Sequence, residues 1–458
     1  MKLIYDVADK PRGAKLLTFA LQQMLAILAC TIAVPMIVGN GMTPAAAMFG
    51  AGAGTVVYLL FTKRKSPVFL GSSFAFLGSM SSAFAGSVSM QLGFFGLMIG
   101  ALFAGLVYVV IAIVVKFVGV EWINKLMPPV VIGPTVAIIG LCLSGNAVGD
   151  LQKGDVMIAG KMAASPYVAI VVGLTTLVAV MLCAAYGKTT TKLIPFVLGI
   201  LVGYIVALVM TIIGDAADIN EFKLIDLSVF KSYMFPDGSI STETFFRLPD
   251  FIFIEGFKGA GEATGSYILT IFAAYVPVAF VAFAEHVADH KNLSSIIEKD
   301  LLKDPGLQNT LLGDGVGSIV GAFFGGSPNT TYGESIACVA ITGNASSITI
   351  LAAAIGCMAF SFLTPLVAFI DSIPSCVMGG VCISLYGFIA VSGLKMLQKV
   401  DLGKNRNLFT ASIIFISGIG GLYIEIGDVK ITTIATALIL GILTNTLLAR
   451  SDEEKAKK

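Results

Sequence analysis

Charge is what this chain lacks. Only 12% of its 458 residues are Asp, Glu, Lys or Arg, about half the roughly 25% usual in a soluble domain, which leaves too little polar surface for a water-soluble globule. The charges it does carry nearly cancel, at a net +1. No basic stripe exists to neutralise phosphates, and this excludes a nucleic-acid partner. Histidine is almost missing: both copies, His286 and His290, fall in one short run. The seven cysteines (Cys30, Cys142, Cys183, Cys338, Cys357, Cys376, Cys382) all lie in apolar segments. None sits in the long polar stretch where a disulfide would help, so they read as small buried hydrophobes. No cleavable leader is expected, because the first apolar run is too long and lacks a small-residue cleavage site.

What is abundant is hydrophobicity, at 56% of residues and a mean hydropathy of +0.91. The natural reading is an all-α, polytopic membrane protein. Runs of roughly 20 apolar residues, the length of a bilayer crossing, recur near 15–39, 43–62, 66–85, 92–116, 120–146, 165–186 and 192–213, then near 265–290, 307–325, 328–342, 346–370, 373–394, 407–425 and 431–449. An acidic stretch, about 214–262, separates the seven from the seven. An odd number per half forces the second half to enter with opposite orientation, giving a 7+7 inverted repeat. With the N-terminus inside, the inner ends receive Lys2, Lys10, Arg12, Lys15, Lys63, Arg64, Lys65, Lys299, Lys303, Lys399, Lys457 and Lys458, among others. The outside receives only Lys153, Lys161, Lys223, Lys231, Arg247, Lys258 and Lys430. That bias is the one the positive-inside rule demands.

Two of these runs are interrupted: SPVFLGSSFAF (Ser66 to Phe76) and GGSPNTTYGES (Gly325 to Ser335), each in the third span of its half. Paired discontinuities at matching places point to a transporter's substrate site. In the second, Pro328 lacks a donor, and Asn329, Thr330 and Thr331 compete for backbone hydrogen bonds, which predicts an extended entry and then a short helix from about Glu334. The N–H groups opening such a half-helix are ready to bind electronegative atoms. Glu334 reads as a cap on that helix or as a ligand group, and the two roles are compatible. In the first, Gly71, Ser72 and Ser73 lead an extended piece into Phe74 and Phe76. Irregular backbone at this depth is tolerated only where protein or a cavity surrounds it. Phe74 reads equally as a stacking face for a flat ligand and as a core phenylalanine.

The run FAEHVADH (Phe283 to His290) closes the first span of the second half. On a helix, Glu285 and Asp289 share one face, while His286 and His290 share another about 100° away. Its position next to Lys291 suggests that His286 and Asp289 are solvated at the inner interface, with Glu285 one turn deeper. A zinc site on His286, Asp289 and His290 is a further reading, but no other ligands lie nearby in the sequence. Two carboxylates, two half-helix N-termini and an aromatic face suit a planar, neutral, amide-like heterocycle. An inorganic anion suits them badly, because Glu285 and Glu334 would repel it. A carboxylate at the midplane also suits proton coupling.

PNTTYGES, AEHVADH, LGSSFAF, KDLLKDPGL (Lys299 to Leu307) and VMGGV (Val377 to Val381) closely resemble the nucleobase–ascorbate transporter family, also called nucleobase:cation symporter-2. The nearest branch is that of the bacterial uracil permeases, and the similarity runs from about Lys15 to Ala449. The resemblance implies a fourteen-helix inverted repeat with short strands in spans three and ten. It implies a core domain (15–116 and 265–370), a gate domain (117–213 and 371–450) and an outer loop (214–264). It also implies a carrier rather than an enzyme, with no cofactor and no metal. The carrier would take up a nucleobase with protons across the cytoplasmic membrane by an elevator-like movement. Uracil is favoured over xanthine or uric acid. The protein would sit in membrane lipid with both termini cytoplasmic, as a homodimer joined through gate domains.

Matching motifs assign Glu285 and Glu334 to the N–H groups of the base, and backbone near Phe74, Gly333 and Ser335 to its carbonyls. Tyr332 would line the pocket, Cys30 would contact the substrate, and His290 would lie nearby and aid coupling. The chain departs from the family pattern at Gln22-Gln23, where Gln-His is usual, and at Ser335 and Ala337, where Asn and Gly are common. Thr342 is retained, followed by Gly343 rather than a basic residue. The rival is an anion exchanger of the same seven-plus-seven architecture. The two carboxylates oppose it, and the tail SDEEKAKK is expected to leave no room for the cytoplasmic regulatory domain of sulfate carriers.

Overall fold

The computed structural model describes all residues except 1–2, 87, 120, 236–237, 399, 427–428 and 457–458. Lys2, Lys399, Lys457 and Lys458, counted on the inner side by the charge pattern, lie outside the described residues. Among those described, eight helices are long and apolar enough to cross a membrane: Ala14–Val38, Pro44–Phe61, Met90–Val118, Pro129–Asp150, Pro166–Tyr186, Pro195–Ala217, Gly265–Ile297 and Ser375–Leu397. Shorter apolar helices run Phe74–Ala83, Gly333–Thr342, Ser347–Phe360 and Thr433–Ala449, and helices Leu307–Gly325 and Asn405–Ile419 stand between them. Pro44, Pro129, Pro166 and Pro195 open four of these helices, at the position where a missing N–H leaves no bond unmade. Thr43 also caps the first of these through its hydroxyl, and Ser89, Thr264 and Ser346 cap three others.

Two expected spans are broken, for identifiable reasons. The run near 120–146 restarts at Pro128-Pro129 after the short helix Glu121–Leu126. The run near 346–370 stops at Phe360 and resumes as Thr364–Asp371. Pro365 has no N–H with which to continue the first helix, and the acidic stretch threads into the gap. There Arg247 N–H donates to Phe362 O at 3.0 Å, and Thr364 N–H donates to Phe245 O at 3.0 Å. The same stretch continues as the amphipathic helix Ile252–Gly259, which packs on Met90–Val118. Its Phe251 and Phe253 join Phe49, Phe323 and Phe324 in an aromatic cluster, with centroids 4.8–6.0 Å apart.

Packing sorts the helices into two groups. Pro44–Phe61, Met90–Val118, Leu307–Gly325 and Ser347–Phe360 pack together with Ala14–Val38 and Gly265–Ile297. Pro129–Cys142, Pro166–Tyr186, Pro195–Ala217 and Ser375–Leu397 pack together with Asn405–Ile419 and Thr433–Ala456. One end of the bundle gathers the N-terminal residues and the basic turns. There Lys299 pairs with Asp6 at 2.6 Å, Lys65 with Asp304 at 2.6 Å, and Ile4 N–H donates to Gly343 O at 2.7 Å.

At the centre of the first group the chain is not helical. Strand Leu70–Ser72 pairs antiparallel with strand Asn329–Thr331, in the register Leu70↔Thr331, Gly71↔Thr330, Ser72↔Asn329. The ladder continues at both ends, where Ser73 N–H donates to Pro328 O at 2.9 Å and Tyr332 N–H to Phe69 O at 3.2 Å. Side chains satisfy the groups that the ladder leaves over, as apolar surroundings require. Leu70 N–H donates to Thr55 Oγ1 at 2.9 Å, Phe69 N–H to Ser335 Oγ at 3.0 Å, and Asn329 Nδ2 to Gly50 O at 3.0 Å. Ser318 Oγ donates to Asn329 O.

Glycine lets the flanking helices approach this crossing. A Cβ at Gly54 would stand 2.7 Å from Gly317 O and press on Asn329 Nδ2. Gly54→Val is therefore expected to destabilise the fold by about 3 kcal/mol. The loss should read out as a low yield of monodisperse protein and a lowered melting temperature in detergent.

Candidate functional site

Each strand hands over directly to a short helix. Phe74–Ala83 follows the first, beginning with a 3-10 turn at Phe74–Phe76, and Gly333–Thr342 follows the second. Because the strands are antiparallel, the two half-helices point in opposite directions and both present their N-termini to the crossing. The first N–H groups of a helix have no partner within the helical ladder, so each half can offer backbone donors beside the crossing. A cavity of about 430 Å³ opens beside them, within the range of small-molecule sites. Phe74, Tyr332, Gly333 and Glu334 line it.

The third wall is helix Gly265–Ile297, whose Glu285 and Asp289 both face the cavity. Asp289 Oδ2 accepts from Thr331 Oγ1 at 2.7 Å, which fastens that helix to the second strand. Three carboxylates thus share one pocket, and Lys192 is the one Lys or Arg among its described lining residues. Lys192 is exposed and stands at the mouth. Such a pocket favours a ligand that donates hydrogen bonds, and it repels anions. Phe74 is half-buried, and its ring meets Tyr386 edge-on with centroids 6.0 Å apart.

Asp289 and His286 are not solvated at an interface. His286 is 1% exposed, and Asp289 belongs to the cavity wall. The helix runs on to Ile297, eight residues past Asp289 and roughly 12 Å further along the axis, so the interface lies well beyond this run. The i, i+4 spacing from Glu285 was the available signal for Asp289, and the neighbouring Lys291 masked it.

The histidines face away from the cavity, as a 100° step per residue demands. His290 is 1% exposed and does not line the pocket. Its Nδ1 donates to His286 O at 2.8 Å, and its Nε2 lies 2.6 Å from Tyr58 Oη. His286 Nδ1 lies 2.7 Å from Asp314 Oδ2, its Nε2 lies 3.0 Å from Thr310 Oγ1, and the two imidazoles stack at 4.0 Å. All four ring nitrogens are therefore engaged, and none is left to build a zinc site with Asp289.

Two more expected contacts sit one layer back. Cys30 is 1% exposed and reaches the site through Glu334, whose Oε1 accepts from its thiol at 3.4 Å. The Ser335 side chain is fully buried and turned towards Phe69, so only its backbone belongs to the half-helix terminus. Tyr332 lines the pocket and also braces the strands, donating from Oη to Ser72 O at 2.8 Å. Gln23 Nε2 donates to Ser335 O at 3.3 Å. Two of the departures from the family pattern are thus in contact with each other.

A bundle of apolar helices, broken at its centre around a cavity lined by three carboxylates, defines a membrane transporter. A family model described as "Permease family" matches residues 14–426. The chain belongs to this family, the nucleobase:cation symporter-2 transporters to which its motifs pointed, and is a permease rather than an enzyme. It is 38% identical to the uracil permease of Bacillus caldolyticus, covering 98% of this chain and 95% of that one. It is 37% identical to the uracil permease of Bacillus subtilis strain 168 (99% and 97% covered) and 33% identical to that of Escherichia coli K12 (95% and 92% covered). In fold it is similar to the transmembrane domain of a cyanobacterial bicarbonate transporter, BicA, with TM-score 0.62 and 14% identity over 95% of this chain and 100% of that chain. It is similar too to the murine anion transporter Slc26a9, with TM-score 0.62 and 12% identity over 97% of this chain and 69% of that chain.

Proposed function

We propose that this permease takes up a nucleobase, uracil before xanthine or uric acid, together with protons across the cytoplasmic membrane. The observation that carries the reading is the meeting of Glu285, Asp289 and Glu334 with two half-helix N-termini around one cavity. Uracil offers ring N–H donors to carboxylates and carbonyl oxygens to backbone N–H groups, and it is flat enough to lie against Phe74. The relatives named uracil permeases support the choice of base. The fold likeness to bicarbonate and anion transporters raises the rival of an anion carrier, which three carboxylates oppose by repulsion.

The fuller reading counts fourteen spans in two inverted sets of seven, with both termini cytoplasmic. The first helix group is the core that carries the substrate, and the second is the gate through which two copies pair. Core moves against gate as an elevator. Glu285 and Glu334 hold the base, and Glu285 is the coupling carboxylate. His290 acts from behind, fixing the helix that bears Glu285 rather than touching the ligand.

The test is uptake of labelled uracil by cells lacking their own permease, with unlabelled xanthine as competitor and a protonophore as control. Uptake that ignores xanthine and collapses with the protonophore is expected. Xanthine transport without uracil transport would overturn the choice of base, and uptake indifferent to the protonophore would overturn the coupling.

A further inference from the structure

The carboxylate cavity has a neighbour. A second cavity, also about 430 Å³, reaches Thr270 on the same helix whose Glu285 lines the first. Those positions are fifteen residues apart, or roughly 22 Å at the rise of an α-helix. Two residues line both cavities: Phe74 and Ile139. They come from opposite helix groups. Phe74 opens the first half-helix, and Ile139, 2% exposed, belongs to helix Pro129–Cys142. The two cavities therefore adjoin at two apolar side chains, one from each helix group.

The chemistry of the second cavity differs from that of the first. Among its described lining residues there is no Asp, Glu, Lys, Arg or His. Its polar groups are hydroxyls, an amide and a thiol, among them those of Ser81, Asn146, Thr270, Tyr423 and Cys142. A neutral ligand able to hydrogen-bond can rest there. An ion would lose hydration without gaining a counter-charge.

We propose that this cavity is an outer vestibule that receives the neutral heterocycle, and that Phe74 and Ile139 form the septum between it and the carboxylate pocket. The proposal rests on the orientation and the neutral substrate given above. Phe74 then has two tasks, covering the ligand on one side and closing the route on the other. Ile139 is a positioning residue, since it touches no carboxylate and acts through the seal. Opening the seal joins the two cavities without altering the groups that hold the ligand.

Cysteine labelling tests this. Cys142 is an exposed thiol lining the vestibule, and Ala337 is an exposed position lining the carboxylate pocket. In intact cells a membrane-impermeant methanethiosulfonate, followed by peptide mass spectrometry, is expected to modify Cys142 readily. In the Ala337→Cys protein it should reach position 337 slowly. Adding Ile139→Ala is expected to speed labelling at 337 by about tenfold or more, because the seal loses three carbons, while labelling at Cys142 stays as it was. Ile139→Val should give a smaller rise and serves if the alanine variant fails to reach the membrane.

Failure of the external reagent to label Cys142 would overturn the vestibule. Equal labelling at 337 with and without the substitutions at Ile139 would overturn the septum. The labelling needs no substrate, so this pattern together with absent uracil uptake would count against the choice of base and leave the septum standing.

Discussion

Glu334→Ala is expected to abolish ligand binding while leaving folded protein in the membrane. The carboxylate faces the cavity from the first turn of helix Gly333–Thr342. In the proposed complex it accepts from the ring N–H groups of the base. Hydrogen bonds to a charged group contribute about 1.5–3 kcal/mol each, so losing even one or two lowers affinity by roughly 100-fold. The fold has little at stake. Glu334 accepts a side-chain hydrogen bond from the thiol of Cys30, a weak donor. Alanine favours the helix, and the lost attraction to the helix N-terminus is worth about 0.5 kcal/mol. Equilibrium binding of labelled uracil to purified protein, beside a size-exclusion profile, checks both halves. Tight binding by a monodisperse variant would remove Glu334 from the site.

Glu285→Gln should separate movement from accumulation. The amide keeps the shape and can still hydrogen-bond to the base, but it cannot gain and lose a proton. One proton moving down 100 mV supplies about 2.3 kcal/mol, enough for roughly 50-fold accumulation of a neutral partner. The variant is expected to lose all of that gradient yet still exchange labelled for unlabelled uracil across vesicles. Concentrative uptake by Glu285→Gln would pass the coupling role to Asp289, which shares its face and its cavity. Asp289→Asn on the same background decides that case.

The sequence was most legible where a physical rule acts locally. The interrupted runs announced the strand and half-helix pairs at Leu70–Ser72 and Asn329–Thr331, because Pro, Gly, Ser and Thr unsettle a helix wherever they cluster. The face shared by Glu285 and Asp289 followed from the helical step alone. What could not be read was depth. Lys291 marks an interface only if the helix ends near it, and this helix continues to Ile297. Nor could a linear pattern tell that Gln23 and Ser335 meet, or that the Ser335 hydroxyl bonds Phe69 N–H instead of facing the pocket. The break after Phe360 was equally hidden, because a distant segment around Phe245–Arg247 fills it.

The two-strand crossing has one more consequence. Its backbone treats the halves as equals, yet the chemistry around it is unequal: Glu285, Asp289 and Glu334 all follow residue 264, while the first half supplies no carboxylate among the described lining residues. Backbone symmetry has been kept and side-chain symmetry abandoned. Under the proposed proton coupling, the ion-handling groups are gathered within residues 285–334, while Phe74, which would cover the ligand's face, is carried by another stretch of chain. Each can be altered without the other, so a relative could change what drives it while keeping what it carries.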